Sequence, residues 1–487
     1  MFMKKVLALF LVFCMMIPLA ACGTKNDPGK TTDDVTTTVE PVSMNEEEKY
    51  LAELPTRDYE WADFNVLVTT AWQNLYLAEN DSGDQIEEAA YKRNVLAEDN
   101  FGVMLKYNAF NGDMATSGPL VTSVRTADMN GTPYDIVMAQ TNYLMPLVSE
   151  GFFQTINDNP YINLDKPWYH QHINENATIG GKQYCFSGDF IISQTAASMI
   201  MFFNKNMYKN LGYEDDLYSL VEEHEWTFEK LKELVSDTYF DLNQSGTVDG
   251  GDSFGLVGPQ QIATSLMAGM GYHVVEYKDN GLPTIDNYLN GKTLDIFDKM
   301  LSFINERDEV YWKPDNNTAV NLLLNNQSLF CIMSVQLAIW KEYRDSTISI
   351  GVLPMPLYDN TQDNYYTIIQ RREMMFISAN TDQERAGILA EYLNYASWKY
   401  VQNAYWDRAL LIKGADTEND MKMYQIQHAG VLFDFTAVFS ASLGGIDSLA
   451  EYLVLFNKNE LSSTWESKKD LYKEGLQLLI DSYLEEE

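Results

Sequence analysis

The sequence predicts an α/β protein built from more than one lobe. Three observations carry that reading. Short apolar runs alternate with helical periods along the first part of the body. The chain has 487 residues, too many for one ordinary hydrophobic core. Hydrophobic residues make up 46% of it, which excludes disorder of the body. No internal repeat appears, which argues against a solenoid or propeller.

The N-terminal stretch stands apart. Lys4 and Lys5 give a short positive start, Val6 to Pro18 is an apolar run, and Leu19-Ala20-Ala21-Cys22 ends it. A basic start, a short apolar core and small residues before a cut read as a secretory signal, residues 1–21. The run is shorter than the roughly 20 apolar residues of a spanning helix. The Leu-Ala-Ala-Cys ending resembles the lipobox of bacterial lipoproteins. That resemblance implies that Cys22 is diacylated, with palmitate as the expected chain type, and becomes the new N-terminus. Two acyl chains suffice for stable anchoring. Residues 22–57 then read as a flexible tether. Lys30 to Val42 is rich in Thr, Asp and Val with no helical period, which favours an extended chain.

The body follows in alternation. Phe64 to Val68 suits a buried strand, Gln85 to Asp99 a helix, and Gly102 to Tyr107 the next strand. Ser117 to Asn130 is again helical, and Tyr134 to Met138 is a third strand. Such alternation implies a parallel sheet with crossover helices. Ligands of these sheets bind beyond the carboxyl ends of the strands, which marks the loops Thr69–Asn80 and Ala139–Tyr143. Further on, Met199 to Tyr208 is a strand running into a helix. Thr227 N-caps a helix expected to reach Tyr239. Ser253–Val257, Ser328–Val335 and Glu373–Ser378 read as strands, and Ile350 to Pro356 as a strand ended by its two prolines, Pro354 and Pro356. Glu384–Ser397 and Leu461–Leu484 read as helices.

The order of lipobox, Tyr134-Asp135-Ile136-Val137, Glu150-Gly151-Phe152-Phe153, Phe203-Asn204-Lys205, Trp226-Thr227-Phe228 and Gly351-Val352-Leu353-Pro354-Met355-Pro356 resembles the extracellular solute-binding proteins of bacterial ABC importers, most of all the large sugar-binding group (family 1). The resemblance spans roughly Tyr59 to the C-terminus. It implies a two-lobed periplasmic-binding-protein-like fold (type II), with parallel-rich sheets flanked by helices, three interlobe crossings and the ligand in the cleft. Carried over, lobe one would be 58–198 plus 355–410 and lobe two 199–354 plus 411–487. It also implies a monomer on the outer face of the cell membrane, held there by its lipid alone, that delivers its ligand to permease subunits powered by a separate ATPase.

Charge narrows the ligand. The chain carries 70 acidic against 34 basic residues, a net charge of -36. Such a surface repels nucleic acid and anionic head groups, so a neutral or cationic ligand is favoured. Of the four cysteines, Cys14 leaves with the signal and Cys22 is the lipid site. Cys185 and Cys331 sit in apolar runs with neither metal spacing nor a disulfide framework and are expected buried and reduced.

The sharpest chemical motif is Asp241 to Asp252. Calcium loops place oxygen ligands at positions 1, 3, 5, 7, 9 and 12, with Gly at 6. Those positions are Asp241, Asn243, Ser245, the Thr247 carbonyl, Asp249 and Asp252, with Gly246 at the turn. Ser at position 5 and Asp at 12 depart from the pattern, and a strand follows where a second helix would stand. An Asx-rich turn without metal is the alternative. A bound calcium would clamp the loop structurally, and no catalytic cofactor is expected.

A sugar has one apolar face and a rim of hydroxyls, so aromatic platforms and planar polar side chains suit it. Trp72 follows the first strand, Gln140, Thr141 and Asn142 follow the third, and Gln336 and Trp340 follow Ser328–Val335. Gln370, Arg371 and Arg372 precede Glu373–Ser378, and at most one of the two adjacent arginines can face a cleft. Trp168 and Trp312 stand on other loops. An oligosaccharide is the expected ligand, with a peptide or cationic solute as the alternative. A secreted glycosidase needs two carboxylates at a set separation, and no pair stands out among so many. His170 and His172 lie two apart without an evident third ligand. No nucleophile elbow, phosphate loop or zinc motif appears. The expectation is therefore a binding protein and not an enzyme.

Overall fold

The computed structural model describes residues 46–70, 75–78, 83–110, 117–312, 314–369, 373–410 and 417–484. Cys22, Trp72, Gln370, Arg371 and Arg372 lie outside these residues. The chain divides into two compact units, Met1–Glu53 and Leu54–Glu487. The described part of the first is a helix, Glu46–Glu53. This corrects the expectation of a flexible tether through residue 57. Glu46, Glu47 and Glu48 sit in the first turn, where the helix dipole favours acids, and Leu51 and Ala52 are strong helix formers.

The second unit opens with β1 (Ala62–Thr69), α1 (Gln85–Phe101), β2 (Val103–Phe110), α2 (Ser117–Met129) and β3 (Ile136–Gln140), followed at once by α3 (Thr141–Val148). Asp84 caps α1 by accepting from the backbone N–H of Ile86 at 2.9 Å. Gly102 ends that helix at φ 62°, a left-handed conformation that glycine adopts without strain. Next come α4 (Gln171–Asn176), α5 (Ile192–Ala197) and β4 (Met199–Asn204), then α6 (Phe228–Val235), β5 (Phe254–Gly258) and α7 (Ile262–Gly269). The remaining elements that matter below are β6 (Val310–Trp312), β7 (Ser328–Ser334), β8 (Ile350–Leu353), β9 (Thr367–Ile368), β10 (Glu373–Ile377), α8 (Gln383–Ala396), α9 (Thr417–Ala429), β11 (Val431–Leu432) and α10 (Leu461–Leu484).

Two sheets organise this unit. The first has strand order β10-β3-β1-β2 and the second β8-β4-β7-β5-β6. In the first, β1 runs parallel to β2 and to β3, with Val66 opposite Ile136. In the second, β5 runs parallel to β6 and β7. The expected parallel core is present, but each sheet is mixed. Strand β10 is antiparallel to β3, with Glu373 opposite Gln140, and β4 is antiparallel to β7, with Met199 opposite Ser334. Both odd strands begin just after the chain passes from one sheet to the other. They therefore start at the carboxyl ends of the parallel strands and run away from them. Helices flank both sheets, so each sheet with its helices forms one lobe of an α/β fold.

Several motif residues prove structural. Asp135 is buried, pairs with Arg385 at 2.8 Å and accepts from the backbone N–H of Asn65 at 2.7 Å. Trp226 is fully buried and donates its indole N–H to the Pro354 carbonyl at 3.0 Å. The Trp-Thr-Phe and Leu-Pro-Met-Pro segments thus lock together where the chain leaves lobe two. Cys185 and Cys331 are buried and free, and burial pushes both thiols far up. Trp168 is core as well, 4% exposed and packed on Tyr395 and Trp398.

Candidate ligand site at the interlobe seam

On lobe one, Thr69 ends β1 and Gln140 ends β3. Glu373, at the start of β10, lies opposite Gln140 in the ladder. Its carboxylate is 3% exposed. It accepts from the Thr69 hydroxyl at 3.0 Å and from the Ser193 hydroxyl. Its carbonyl accepts from Gln194 Nε2 at 2.5 Å. Gln140 precedes α3 without capping it through its side chain. Just beyond, Thr141 Oγ1 and Asn142 Oδ1 are buried with no hydrogen-bond partner among the described residues. Such atoms are costly in a protein interior unless a ligand or water meets them.

On lobe two, β7 ends at Ser334 and turns through Val335–Ile339, a single 3₁₀ turn. Gln336 donates from Nε2 to Ser334 Oγ at 3.0 Å. Trp340, half-buried, follows the turn and begins the short helix Lys341–Asp345. The Val335 N–H donates to the Ser198 carbonyl at 2.8 Å. This bond seats the turn of Gln336 directly against the end of α5, whose start carries Ser193 and Gln194 to Glu373. The strand ends of both lobes therefore meet along one seam. Gln140 and Asn142 stand at the end of β3 in lobe one, and Gln336 and Trp340 follow the end of β7 in lobe two. Trp312 ends β6, also half-buried.

Thr69 opens a loop already marked by the sequence, but two residues of this seam escape a reading by motif: Ser193 and Glu373. The signal was present for one of them. Ser193-Gln194-Thr195 is a polar triplet inside an otherwise apolar run, Phe190 to Ala197, with no turn residue to explain it.

A separate groove of about 700 Å³ lies between α4, the far end of α7 and the connecting strands. Tyr272, Tyr277 and Tyr366 wall it, with Glu175 and Asp434 at its edge. It opens where α7 ends, whereas β5 delivers its carboxyl end to the start of that helix. The groove and the strand-end seam are thus different places.

The loop Asp241–Asp252 folds into a compact knot of oxygen atoms. Both Asp241 oxygens accept backbone N–H groups, from Ser245 at 3.1 Å and Gly246 at 3.0 Å. Ser245 Oγ lies 3.0 Å from the Thr247 carbonyl, to which it donates. The Asp252 carboxylate is fully buried; its Oδ2 accepts from Asp249 N–H at 3.0 Å and from Tyr239 OH at 3.1 Å, while Oδ1 has no partner. The Gly251 N–H leads the hydrogen bonds that hold the Asp249 carboxyl below the usual range. The expected leading helix through Tyr239 is corrected. It ends at Val235, because Asp237 turns left-handed at φ 59°. A β-bridge between Phe240 and Ser253 closes the loop instead. The five side chains and the Thr247 carbonyl of the motif are thus gathered in a β-flanked setting.

Among the described residues, no helix is long and apolar enough to cross a membrane. No protein-family profile matches this chain, and no curated protein matches it. Solved structures do. A cyclo/maltodextrin-binding protein complexed with maltotetraose is similar at 13% identity, over 85% of this chain and 97% of that one, with a TM-score of 0.54. The GacH receptor of Streptomyces glaucescens, solved unliganded and with acarbose, is similar at 13% identity, over 86% and 99%, with a TM-score of 0.53. UgpB from Mycobacterium tuberculosis, in complex with glycerophosphocholine, is similar at 13% identity, over 86% and 99%, with a TM-score of 0.51. At such identity the likeness establishes the fold: this chain has the two-lobed fold of the periplasmic binding proteins.

Proposed function

We propose that this chain is a lipid-anchored solute receptor on the outer face of a cell membrane. It captures a small neutral ligand, an oligosaccharide, between its lobes and presents it to an ABC import permease. No bond is made or broken. The observation that carries the reading is the meeting of both lobes' strand ends across α5 and the Val335–Ile339 turn, where open α/β sheets hold their ligands. The chemistry there suits a sugar. Trp340 offers a flat apolar face, and the amides of Gln140, Asn142 and Gln336 offer planar donors and acceptors. Asn142 Oδ1, buried and unpartnered, supplies an acceptor for a ligand hydroxyl. Two of the similar structures hold maltotetraose and acarbose, which points the same way. Closure by hinge motion follows from a ligand held by two lobes. Cys22 would supply the anchor, which metabolic labelling with a palmitate analogue tests against Cys22→Ser.

Isothermal titration with maltooligosaccharides, smaller sugars and glycerophosphocholine tests the ligand. Trp340→Ala should weaken binding by on the order of 30-fold, about 2 kcal/mol. Tyr277→Ala, in the separate groove, should leave it unchanged. The reverse pattern would move the ligand to the groove. Turnover of the sugar to a shorter product, or no binding across the panel, would remove the receptor reading.

The loop Asp241–Asp252 is read as a structural calcium site. Its oxygen-only donor set and the open Asp252 Oδ1 support that assignment.

A further inference from the structure

We propose that His170, Asp189 and His428 bind a divalent transition-metal ion, zinc by preference, that ties one lobe to the other beside the hinge. His170 immediately precedes α4, and Asp189 lies in the loop before α5, both in lobe one. His428 stands in the last turn of α9. That helix is anchored in lobe two: Asp420 accepts from the Val352 N–H at 3.2 Å and pairs with Lys205 at 3.5 Å. Nε2 of His170 lies 3.3 Å from Asp189 Oδ1, and Nε2 of His428 lies 3.4 Å from the same oxygen. The ligand atoms of all three residues lie within 4.8 Å of one another. Asp189 is 1% exposed and His170 7%. The His428 side chain keeps 20% of its surface, which leaves an entry path.

Distance is the first indication of a cation. An N–H···O hydrogen bond spans about 2.7–3.2 Å. Two ligands bound at about 2.0–2.2 Å to a tetrahedral ion sit about 3.3–3.5 Å apart. Both nitrogens of this cluster stand at the second separation.

Proton placement is the next. Gln194 Nε2 donates to the Glu373 carbonyl, which fixes its Oε1 as an acceptor. That oxygen lies 2.9 Å from His170 Nδ1, and Ser187 Oγ, whose own proton goes to Gln194 Oε1, lies 2.8 Å from it, so both neighbours of Nδ1 are placed to accept its proton. In the tautomer that carries its proton on Nδ1, the ring presents the Nε2 lone pair to a carboxylate oxygen. Two acceptors face each other, and a cation between them resolves the repulsion. A ligating imidazole that donates its other N–H to a carbonyl is the arrangement that orients metal-bound histidines.

Asp189 itself is the last. Its Oδ2 is buried with no hydrogen-bond partner, a costly state for a charged oxygen that coordination relieves. Two imidazoles and one carboxylate suit zinc, whereas calcium and magnesium prefer oxygen alone.

The test uses chelator-stripped protein with calcium in excess, so that the acidic loop does not compete. Zinc titration should give one tight equivalent. Cobalt should give the intense visible bands of a tetrahedral site. His428→Gln and Asp189→Asn should each weaken the metal by on the order of 100-fold, and Gln194→Leu by roughly 10-fold. His172→Gln, whose ring joins no cluster, should bind as the parent does. Should Asp189→Asn fail to fold by circular dichroism, His428→Gln at the solvent edge decides. No stoichiometric zinc or cobalt on the parent protein, or unchanged binding in His428→Gln, overturns the proposal.

Discussion

Asp420 carries a carboxylate into lobe two, where it meets a lysine, a phenol and a backbone amide. Tyr218 donates to it at 2.5 Å, Val352 N–H at 3.2 Å, and Lys205 lies 3.5 Å away. Burial raises its carboxyl, and Lys205, Tyr218 and Val352 only partly offset that, so the net direction is up. The folded state thus holds this proton more tightly than the unfolded chain, whose aspartates titrate near about 3.9. The stability it contributes is full below that value and is lost as pH rises through the higher folded value. Asp420→Asn does not titrate. Urea midpoints measured from about pH 4 toward neutrality should therefore show the parent losing ground to the variant as pH rises. A difference that stays flat across that range would contradict the assignment. Glu229 works in the opposite sense. The hydrogen bond from Lys299 lowers its carboxyl, so its contribution is present above about 4.3 and fades on acidification. None of this was legible in the sequence, where Asp420 is one acid among 70. The same holds for His170, Asp189 and His428. Sequence showed only the neighbouring pair His170 and His172, and the fold uses the first with partners far along the chain.

At the scale of elements, strands were readable and their ends were not. Apolar runs bounded by turns named β1, β3, β5, β7, β8 and β10 to within two residues and the start of β4, while β2 runs three residues past the expected Tyr107 and the two-residue β9 was missed. A buried strand demands an unbroken apolar run, and that demand shows in composition. The helix expected to reach Tyr239 failed because its apolar spacing continues through Val235 and Tyr239, whereas the backbone leaves the helix at Ser236 and turns left-handed at Asp237, and the Thr238 hydroxyl then takes up the freed Val235 carbonyl. The compact loop Asp241–Asp252 was legible for the opposite reason: its oxygen-bearing residues are local, spaced along one short stretch. Extracellular loops of this kind hold calcium at about 10⁻⁴–10⁻³ M. Adding about 2 mM calcium to stripped protein should then contribute roughly 0.6–1.8 kcal/mol. Calorimetry should read this as a rise in unfolding temperature that Asp241→Asn removes. No rise even at about 10 mM, several times the weakest expected constant, would leave the loop an Asx-rich turn stabilised by its own hydrogen bonds.

Across the whole molecule, periodicity supported an α/β fold in more than one lobe, but it did not place the passages between lobes. Those depend on which strand enters which sheet, and no local pattern encodes that. What composition does encode is charge. With 70 acids against 34 bases, at least half the carboxylates have no cation to pair with. The surface pairs that exist, such as Arg125–Glu150 at 2.5 Å and Lys473–Asp286 at 2.6 Å, are exposed and contribute about 0–1 kcal/mol each. Salt weakens these attractions and also screens the repulsion among unpaired acids, so its two effects on stability have opposite sign. Repulsion dominates, because it involves every unpaired acid within a Debye length and the pairs involve few. Raising sodium chloride from about 10 mM to about 1 M shortens that length from about 30 Å to about 3 Å. The unfolding temperature should therefore rise over this range, with calcium held fixed so that its loop does not contribute. A monotonic fall would mean that the ion pairs dominate the surface. In that case neutralising Arg125 and Lys473 together should destabilise the protein at low salt far more than exposed pairs allow.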